Sequence, residues 1–460
     1  MFPQERMGRL SQKDSTTGKE ALPEGYTPES GMPQSLSLLR WKLGQKAKRE
    51  RKFRFYALYD RIYRWDVLQT AYRNSRSNGG KAGVDGVSFE QIESSEEGVD
   101  GFLKRLQDSL KEKTYRPKPL LRNYIRKENG KLRPLGIPCI ADRVAQGAVT
   151  LVIEPIFEAD FLDCSHGFRP CRDRTGAIRQ VQANLEEGRR EIYDGDLTSY
   201  FDTIEHVELL KKVERRISDG SVLRLIRMWL TSEIEEVDET TGRRTRTRPE
   251  RGTPQGGVIS PLLANIYLHE LDQAFEQSPD SPRHFANARL IRYADDFVVM
   301  ARYMGTRITG WLEGYLEEKL RLQVNREKTR TISLKEEGEL TFVGYTLRYD
   351  RDRFGRSKRY LNIIPSAKAQ KAIRERIKKI TSSGRRLPLQ DTIEMVNRIT
   401  LGWKRSYSIG YPREAFRQLN WYVLCRFRTL LRRRSQRRSR PFRQGETLYA
   451  GLRRYGLVYL

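Results

Sequence analysis

Tyr293-Ala294-Asp295-Asp296 sets two adjacent carboxylates between apolar runs, Arg289 to Tyr293 before them and Phe297 to Met300 after. Asp is depleted in strands and neighbouring like charges repel, so the pair reads as the tip of a hairpin that presents oxygens to a cation. A divalent metal is the natural guest. A second carboxylate cluster lies upstream, in Tyr193-Asp194-Gly195-Asp196-Leu197-Thr198-Ser199-Tyr200-Phe201-Asp202. Asp196 ends an expected strand, where active sites collect, and an expected helix with the apolar face Val207, Leu210, Val213 and Ile217 follows it. Asp194 and Asp202 compete with Asp196 for a ligand role, and Asp202 suits a helix N-terminus better. Carboxylates gathered around two metal ions about 3.5–4 Å apart would serve phosphoryl transfer, which no single aspartate can do.

Two further segments can serve the same chemistry. In Gly252-Thr253-Pro254-Gln255-Gly256-Gly257-Val258-Ile259-Ser260-Pro261 the glycines let backbone approach a ligand, and Ser260 with Pro261 spells an N-cap and first helical position. The helix expected after it carries Leu263, Tyr267, Leu271 and Phe275 on one stripe. A turn alone explains the glycines but not the polar Gln255 among them. Further upstream, Leu121 to Lys127, a turn at Glu128-Asn129-Gly130 and Lys131 to Pro138 read as a hairpin. Lys127 and Arg133 stand on its opposite arms, where they can close on a triphosphate; taken alone they read as solvated charges.

The chain that must position these residues has 460 of them, with 87 Lys+Arg against 59 Asp+Glu and a formal charge of +28. Such an excess points to a polyanionic partner, and the apolar content suffices for two or three folded cores. No run approaches the about 18 apolar residues of a membrane span, and Met1 to Arg6 lacks the apolar core of a secretory signal, so a cytoplasmic location with no membrane partner is expected. Cys139, Cys164, Cys171 and Cys425 are too scattered for a disulfide framework. Cys164, His166 and Cys171 invite a zinc reading, but a fourth ligand at suitable spacing is missing.

Residues 1–52 are polar, end in the basic run Lys42 to Lys52, and are expected to stay flexible; order is expected from Phe53, with two helices and then the Gly-rich loop Asn78 to Gly86. After Tyr345 the chain turns helical and very basic. Ala369, Ile373, Ile377 and Ile380 make one stripe; Ile393, Val396, Trp403 and Tyr407 a second; Phe416, Leu419, Val423, Phe427 and Leu430 a third, which together predict a small bundle. The opposite faces, with Lys368, Lys371, Arg374, Arg376, Lys378 and Lys379, can grip phosphates. So can the run Arg432, Arg433, Arg434 and the basic residues up to Arg440. The segment Arg243 to Arg248 reads either as a hairpin that touches RNA or as a solvated insertion.

The order of parts resembles the motif series of reverse transcriptases: hairpin with Arg133, Asp196 with Phe201, the Gly-Gln-Gly loop, Tyr293 to Asp296, Gln323 to Thr329, and Phe342-Val343-Gly344-Tyr345. More closely, residues 53–460 resemble the group II intron-encoded reverse transcriptase/maturase family. Gly83-Val84-Asp85-Gly86 resembles its extra N-terminal motif, Ser165 to Pro170 its finger segment, and Gly402-Trp403 with Tyr407 its maturase signature, although Ser408 stands where the family often has Phe. The resemblance implies an α+β right-hand polymerase: fingers and an antiparallel palm sheet over 53–350, an α-helical thumb/maturase bundle over 351–433, and a short basic nucleic-acid-binding segment over 434–460. It implies an RNA-directed DNA polymerase that binds its group II intron RNA, assists splicing and copies the intron into DNA at a DNA target during retrohoming. By position, Asp196, Asp295 and Asp296 would hold two Mg²⁺ (Mn²⁺ as substitute), with the carbonyl of Leu197 a further ligand. Lys127 and Arg133 would bind the dNTP triphosphate, Phe201 would exclude a ribose 2′-OH, Gln255 would touch nucleotide or template, and Lys328 would lie near the incoming phosphates on an RNA template with a DNA primer. A nuclease domain found in many relatives is expected to be absent. Two other readings stay open: a splicing cofactor without polymerase chemistry, and a reverse transcriptase recruited to phage defence or spacer acquisition with another noncoding RNA.

Overall fold

The computed structural model describes residues 24–126, 130, 132–238, 241–335, 337–351, 359–383, 387–434 and 445–460. Lys127, the turn at Glu128 and Asn129, residues 1–23 and the basic run after Arg434 lie outside these. Along the chain, helices α1 (Gln34–Arg49) and α2 (Trp65–Asn78) precede strands β1 (Leu120–Arg126) and β2 (Leu132–Ile137) and helix α3 (Ile140–Glu158). Strand β3 (Glu191–Gly195) leads through the single turn α4 (Tyr200–Thr203) into α5 (His206–Glu214), and β4 (Ile234–Val237) and β5 (Arg244–Thr247) precede α6 (Ser260–Gln277). Then come β6 (Arg289–Tyr293), β7 (Asp296–Ala301), β8 (Arg330–Ser333), β9 (Glu339–Phe342), β10 (Tyr345–Arg351) and β11 (Arg359–Pro365). Helices α7 (Ala367–Ser383), α8 (Leu389–Ser406), α9 (Arg413–Arg434) and α10 (Leu448–Arg454) follow.

The central sheet has the order β6-β7-β3-β8, all antiparallel, and is apolar on both faces. Side chains alternate along a strand, so Phe297, Val299 and Ala301 of β7 enter one core while Val298 and Met300 enter another. The first core packs α1, α2, α3, α5 and α6 under the sheet; the second joins the sheet to the helical bundle, whose three expected stripes all face inward. A separate sheet of order β2-β1-β4-β5 forms the fingers, and β11-β10-β9 links palm to bundle. This is the α+β right-hand arrangement that the motif series implies.

Several expectations need correction. Order begins before Phe53: α1 is a helix whose narrow inward stripe, Leu36, Arg40 and Ala47, is buried. Arg40 donates to the carbonyl of Leu151 at 2.7 Å and to Glu154 at 2.8 Å, so a mostly polar helix docks through a cation set between the buried Leu36 and Ala47. The first of the two helices expected after Phe53 shrinks to the turn Tyr59–Ile62, because the backbone at Phe55 is extended in an isolated parallel bridge to Ile217. Val207, expected in an apolar face, is 64% exposed, while Leu210, Val213 and Ile217 are buried.

The boundary drawn at residue 351 falls at the end of β10, which pairs with β11 from Tyr345↔Pro365 to Arg351↔Arg359. The bundle is also fastened to this hairpin and to the helix Arg174–Glu186: Tyr345 donates to the carbonyl of Ser406 at 2.8 Å, and Arg174 lies over the Tyr407 ring while donating to its hydroxyl at 3.0 Å. Nor is the chain beyond 434 only a basic tail. Leu452 and Leu457 are buried in the second core, and the backbone of Leu460 exchanges hydrogen bonds with Asn420.

Candidate active site and nucleic-acid surface

Strands β6 and β7 pair to the register Tyr293↔Asp296, leaving Ala294 and Asp295 as a two-residue turn. Such turns need a left-handed residue, and Ala294 takes that conformation at φ 58°. A non-glycine residue there is held in place by its surroundings. Arg292, fully buried, donates to the carbonyl of Ala294 at 2.8 Å, to Asn265 Oδ1 at 2.9 Å, and through two nitrogens to Asp272 of α6 at 2.9 and 2.5 Å. Burial alone would push its guanidinium down; Asp272 outweighs this and holds it above its ordinary value. Beneath the turn runs Ser165 to Phe168, where a Cβ on Gly167 would lie 2.3 Å from the nitrogen of Ala294. Only glycine permits that approach.

On the neighbouring strand, the register Gly195↔Phe297 between β3 and β7, carried one residue further, sets Asp196 beside Asp296. Directly opposed like charges destabilise a sheet, so the pairing is an arrangement for a counter-charge. Burial first, then the charges of Asp295, Asp196 and Asp194, push the Asp296 carboxyl up to about 6, against the opposing pull of Lys328. Asp296 nonetheless keeps an exposed edge at the cleft mouth, while Asp295 is half-buried and also raised by burial, with Arg133 opposing. Lys328 donates to both oxygens of Asp196, at 3.1 and 3.0 Å, and Asn325 donates to one at 3.0 Å. Among the described residues no three acidic, His or Cys side chains close around a single metal position. The donor set still fits a divalent cation: three carboxylates crowd on adjacent strand ends, the charge of Asp196 helps raise the carboxyls of Asp295 and Asp296, and the Lys328 ammonium is the cation that answers them.

The remaining expected residues gather around this centre. Phe201 is half-buried, with edge-to-face contacts to Tyr200 at 5.4 Å and Phe168 at 6.4 Å. Arg133 donates to Gln255 Oε1 at 2.8 Å, and Gln255 in turn donates to Asp202 at 3.0 Å, so finger strand, loop and palm turn form one chain of polar contacts. The loop sits flush on β2: a Cβ on Gly256 would meet the carbonyl of Gly136 at 2.5 Å. Leu197 is buried and bridges to Val324. Ser260 does not cap α6; its hydroxyl donates to the carbonyl of Pro254 at 2.8 Å and fastens the loop, while Ile259 takes the cap position. Asp202 lies in the first turn of α4, as a helix N-terminal reading expects.

On the bundle, Lys368, Lys371 and Lys378 are exposed on α7, and Arg374 is half-buried against Gln418. Arg432 and Arg433 are exposed, but Arg434 turns inward, donating to the carbonyl of Leu387 at 2.5 Å, and so differs from the phosphate-binding expectation. Arg243 to Arg248 is resolved as a hairpin arm: β5 pairs with β4, and Arg244 and Arg246 both bind the buried Glu235.

Sequence reasoning missed Arg292, Asp272, Asn265 and Gly167 as supports of the turn. One signal was present, a lone arginine inside the apolar run Leu290-Ile291-Arg292.

Residues 125–347 match the model for reverse transcriptase (RNA-dependent DNA polymerase), and residues 370–446 match the group II intron maturase-specific domain. Protein YkfC of Escherichia coli is 35% identical over 369 residues, 73% of this chain and 94% of that one. The group II intron-encoded protein LtrA of Lactococcus lactis is 39% identical over 224 residues, 48% of this chain and 35% of that one. A solved structure of telomerase from Candida albicans with a fragment of telomeric RNA shares 14% identity at a TM-score of 0.40, over 72% of this chain and 65% of that one.

Proposed function

This chain belongs to the group II intron-encoded reverse transcriptase/maturase family, and from that premise we propose that it extends a DNA primer on an RNA template at the β3 end and the β6–β7 turn, and holds its intron RNA with the bundle. The observation that carries the reading is the register that sets Asp196 beside Asp296, with Asp295 in the adjoining turn. Asp196, Asp295 and Asp296, with the carbonyl of Leu197, would hold two Mg²⁺ ions, or Mn²⁺ in their place. Such ions would supply charge stabilisation for the attacking 3′-oxygen and the leaving pyrophosphate.

The protein's own side chains do the positioning. Phe201, braced by Tyr200 and Phe168, presents a flat ring where the sugar of a dNTP would rest, and a 2′-OH would collide with it. Arg133 is held by Gln255 with its charge toward Asp295, so a triphosphate approaching the carboxylates meets a fixed cation. Lys127, outside the described residues, would bind the same triphosphate. Lys328 pairs with Asp196, and an incoming phosphate competes for the same ammonium. Exposed Lys368, Lys371, Lys378, Arg432 and Arg433, with half-buried Arg374, give the bundle its affinity for RNA backbone. The maturase-domain match over 370–446 supports intron RNA as the partner, and with it splicing assistance and copying into target DNA. The four cysteines, all free, suit a reducing cytoplasm.

Asp295→Asn is the test. Primer extension with dNTPs and Mg²⁺ should fall by about a thousandfold or more, while intron RNA affinity stays within about twofold, since the electrostatics of the reacting centre are lost and the bundle is untouched. Retained extension would end the assignment of the carboxylates.

A further inference from the structure

Arg413, Arg417, Trp421, Arg428 and Arg432 follow one another at offsets of four, four, seven and four residues along α9. Those offsets place them on one helix face, roughly 28 Å long at the ~1.5 Å rise of an α-helix, and all five are exposed. The other face of α9 already supplies Leu419, Val423, Phe427 and Leu430 to the core, so Trp421 is not a core residue left over. It is 68% exposed, unusual for the residue with the largest apolar surface.

A groove between α7 and α9 opens beside the indole, lined by Arg374, Glu414, Arg417, Gln418, Trp421 and Tyr422. It continues toward the exposed Lys371 and Lys378 of α7. A docking site for an apolar protein surface would surround the tryptophan with aliphatic residues. Here no aliphatic side chain among the described residues lines the groove: beside the indole stand the guanidiniums of Arg374 and Arg417, the amide of Gln418, the carboxylate of Glu414 and the ring of Tyr422, with cations one to two turns away on either side. A ridge of positive charge interrupted by one open aromatic face matches a nucleic acid whose phosphates and base faces are both accessible, and a duplex buries its base faces in the stack.

We propose that the α9 ridge and the adjoining groove form a docking surface for an unpaired stretch of RNA, with one base stacked on Trp421 and the flanking phosphates on Arg417 and Arg428. The inference rests on the RNA-binding reading above but not on polymerase chemistry. It specifies that the bundle distinguishes loops and single strands from helical RNA.

The test compares the full chain with Trp421→Ala and Trp421→Phe, using anisotropy of a labelled oligouridylate of about 12 nucleotides and of a blunt RNA duplex of equal length at fixed salt. Trp421→Ala should weaken the single strand about tenfold and leave the duplex unchanged, and Trp421→Phe should keep most of the affinity. Equal loss on both RNAs, or no loss on the single strand, would overturn the stacking role. Thermal melting checks that the alanine variant is folded. Primer extension by the unmodified protein is assayed alongside: its absence would remove the polymerase reading and leave the single-strand preference standing.

Discussion

Arg292 and the arginines of α9 carry the same charge under opposite conditions. Arg292 is sealed from water, and its donors are committed to Asp272, Asn265 and the carbonyl of Ala294, so it fixes the turn that carries Asp295. Arg417, Arg428 and Arg432 stand in solvent, with Lys371 and Lys378 on the neighbouring helix. The palm therefore uses one cation to hold a geometry, whereas the bundle uses many to hold a potential. A geometry is lost with one residue; a potential is eroded by each.

The contrast is sharpest in Arg292→Met. Removing one partner of a buried ion pair leaves Asp272 charged and unpaired, which costs about 3–5 kcal/mol, and the left-handed Ala294 loses its brace. Urea unfolding should show the lower stability, and a loss under about 1 kcal/mol would mean that the turn holds itself. On the bundle, Lys371→Ala should weaken intron RNA only about threefold and lower the slope of log affinity against log salt by about 0.7–0.9, with stability unchanged. A loss of a hundredfold from that one lysine would erase the distinction between the two regions.

The smallest expected effect is at Asp296. Its carboxyl is raised above that of the unfolded chain, so the contribution to stability is present below about pH 4 and is lost as pH rises through about 6. Above that the palm carries crowded ionised carboxylates. Asp296→Asn should then raise the thermal midpoint by about 1 °C at pH 7.5 in chelator, with the gain vanishing toward pH 4. A variant less stable than the parent at pH 7.5 would show that the crowding is already relieved.

What could be read from the residues was what repeats locally. The apolar run Phe297 to Met300, the stripes of α7, α8 and α9, and the glycines around Gln255 announce themselves within a dozen positions. The supports of the site do not, because each joins distant segments: Arg292 to Asp272 on another element, Asn325 to Asp196, Gly167 to Ala294. Helix α1 escaped for the same reason. Its composition is that of a solvated helix, and the partners that explain why Arg40 is buried, Glu29, the carbonyl of Leu151 and Glu154, lie outside it.

The second core has a thermodynamic implication. Ile192, Val298 and Met300 of the central sheet share it with Ile373, Ile393 and Phe427 of the bundle, so the sheet cannot open without loosening the helices. RNA bound on the outside of those helices would thus act as ballast for the polymerase. By mass action an RNA present at a hundred times its dissociation constant adds about 2.7 kcal/mol against unfolding, and part of that protection reaches the strands bearing Asp196 and Asp296. An enzyme with its RNA bound there would then outlast one without it, and limited proteolysis with and without intron RNA would read the difference.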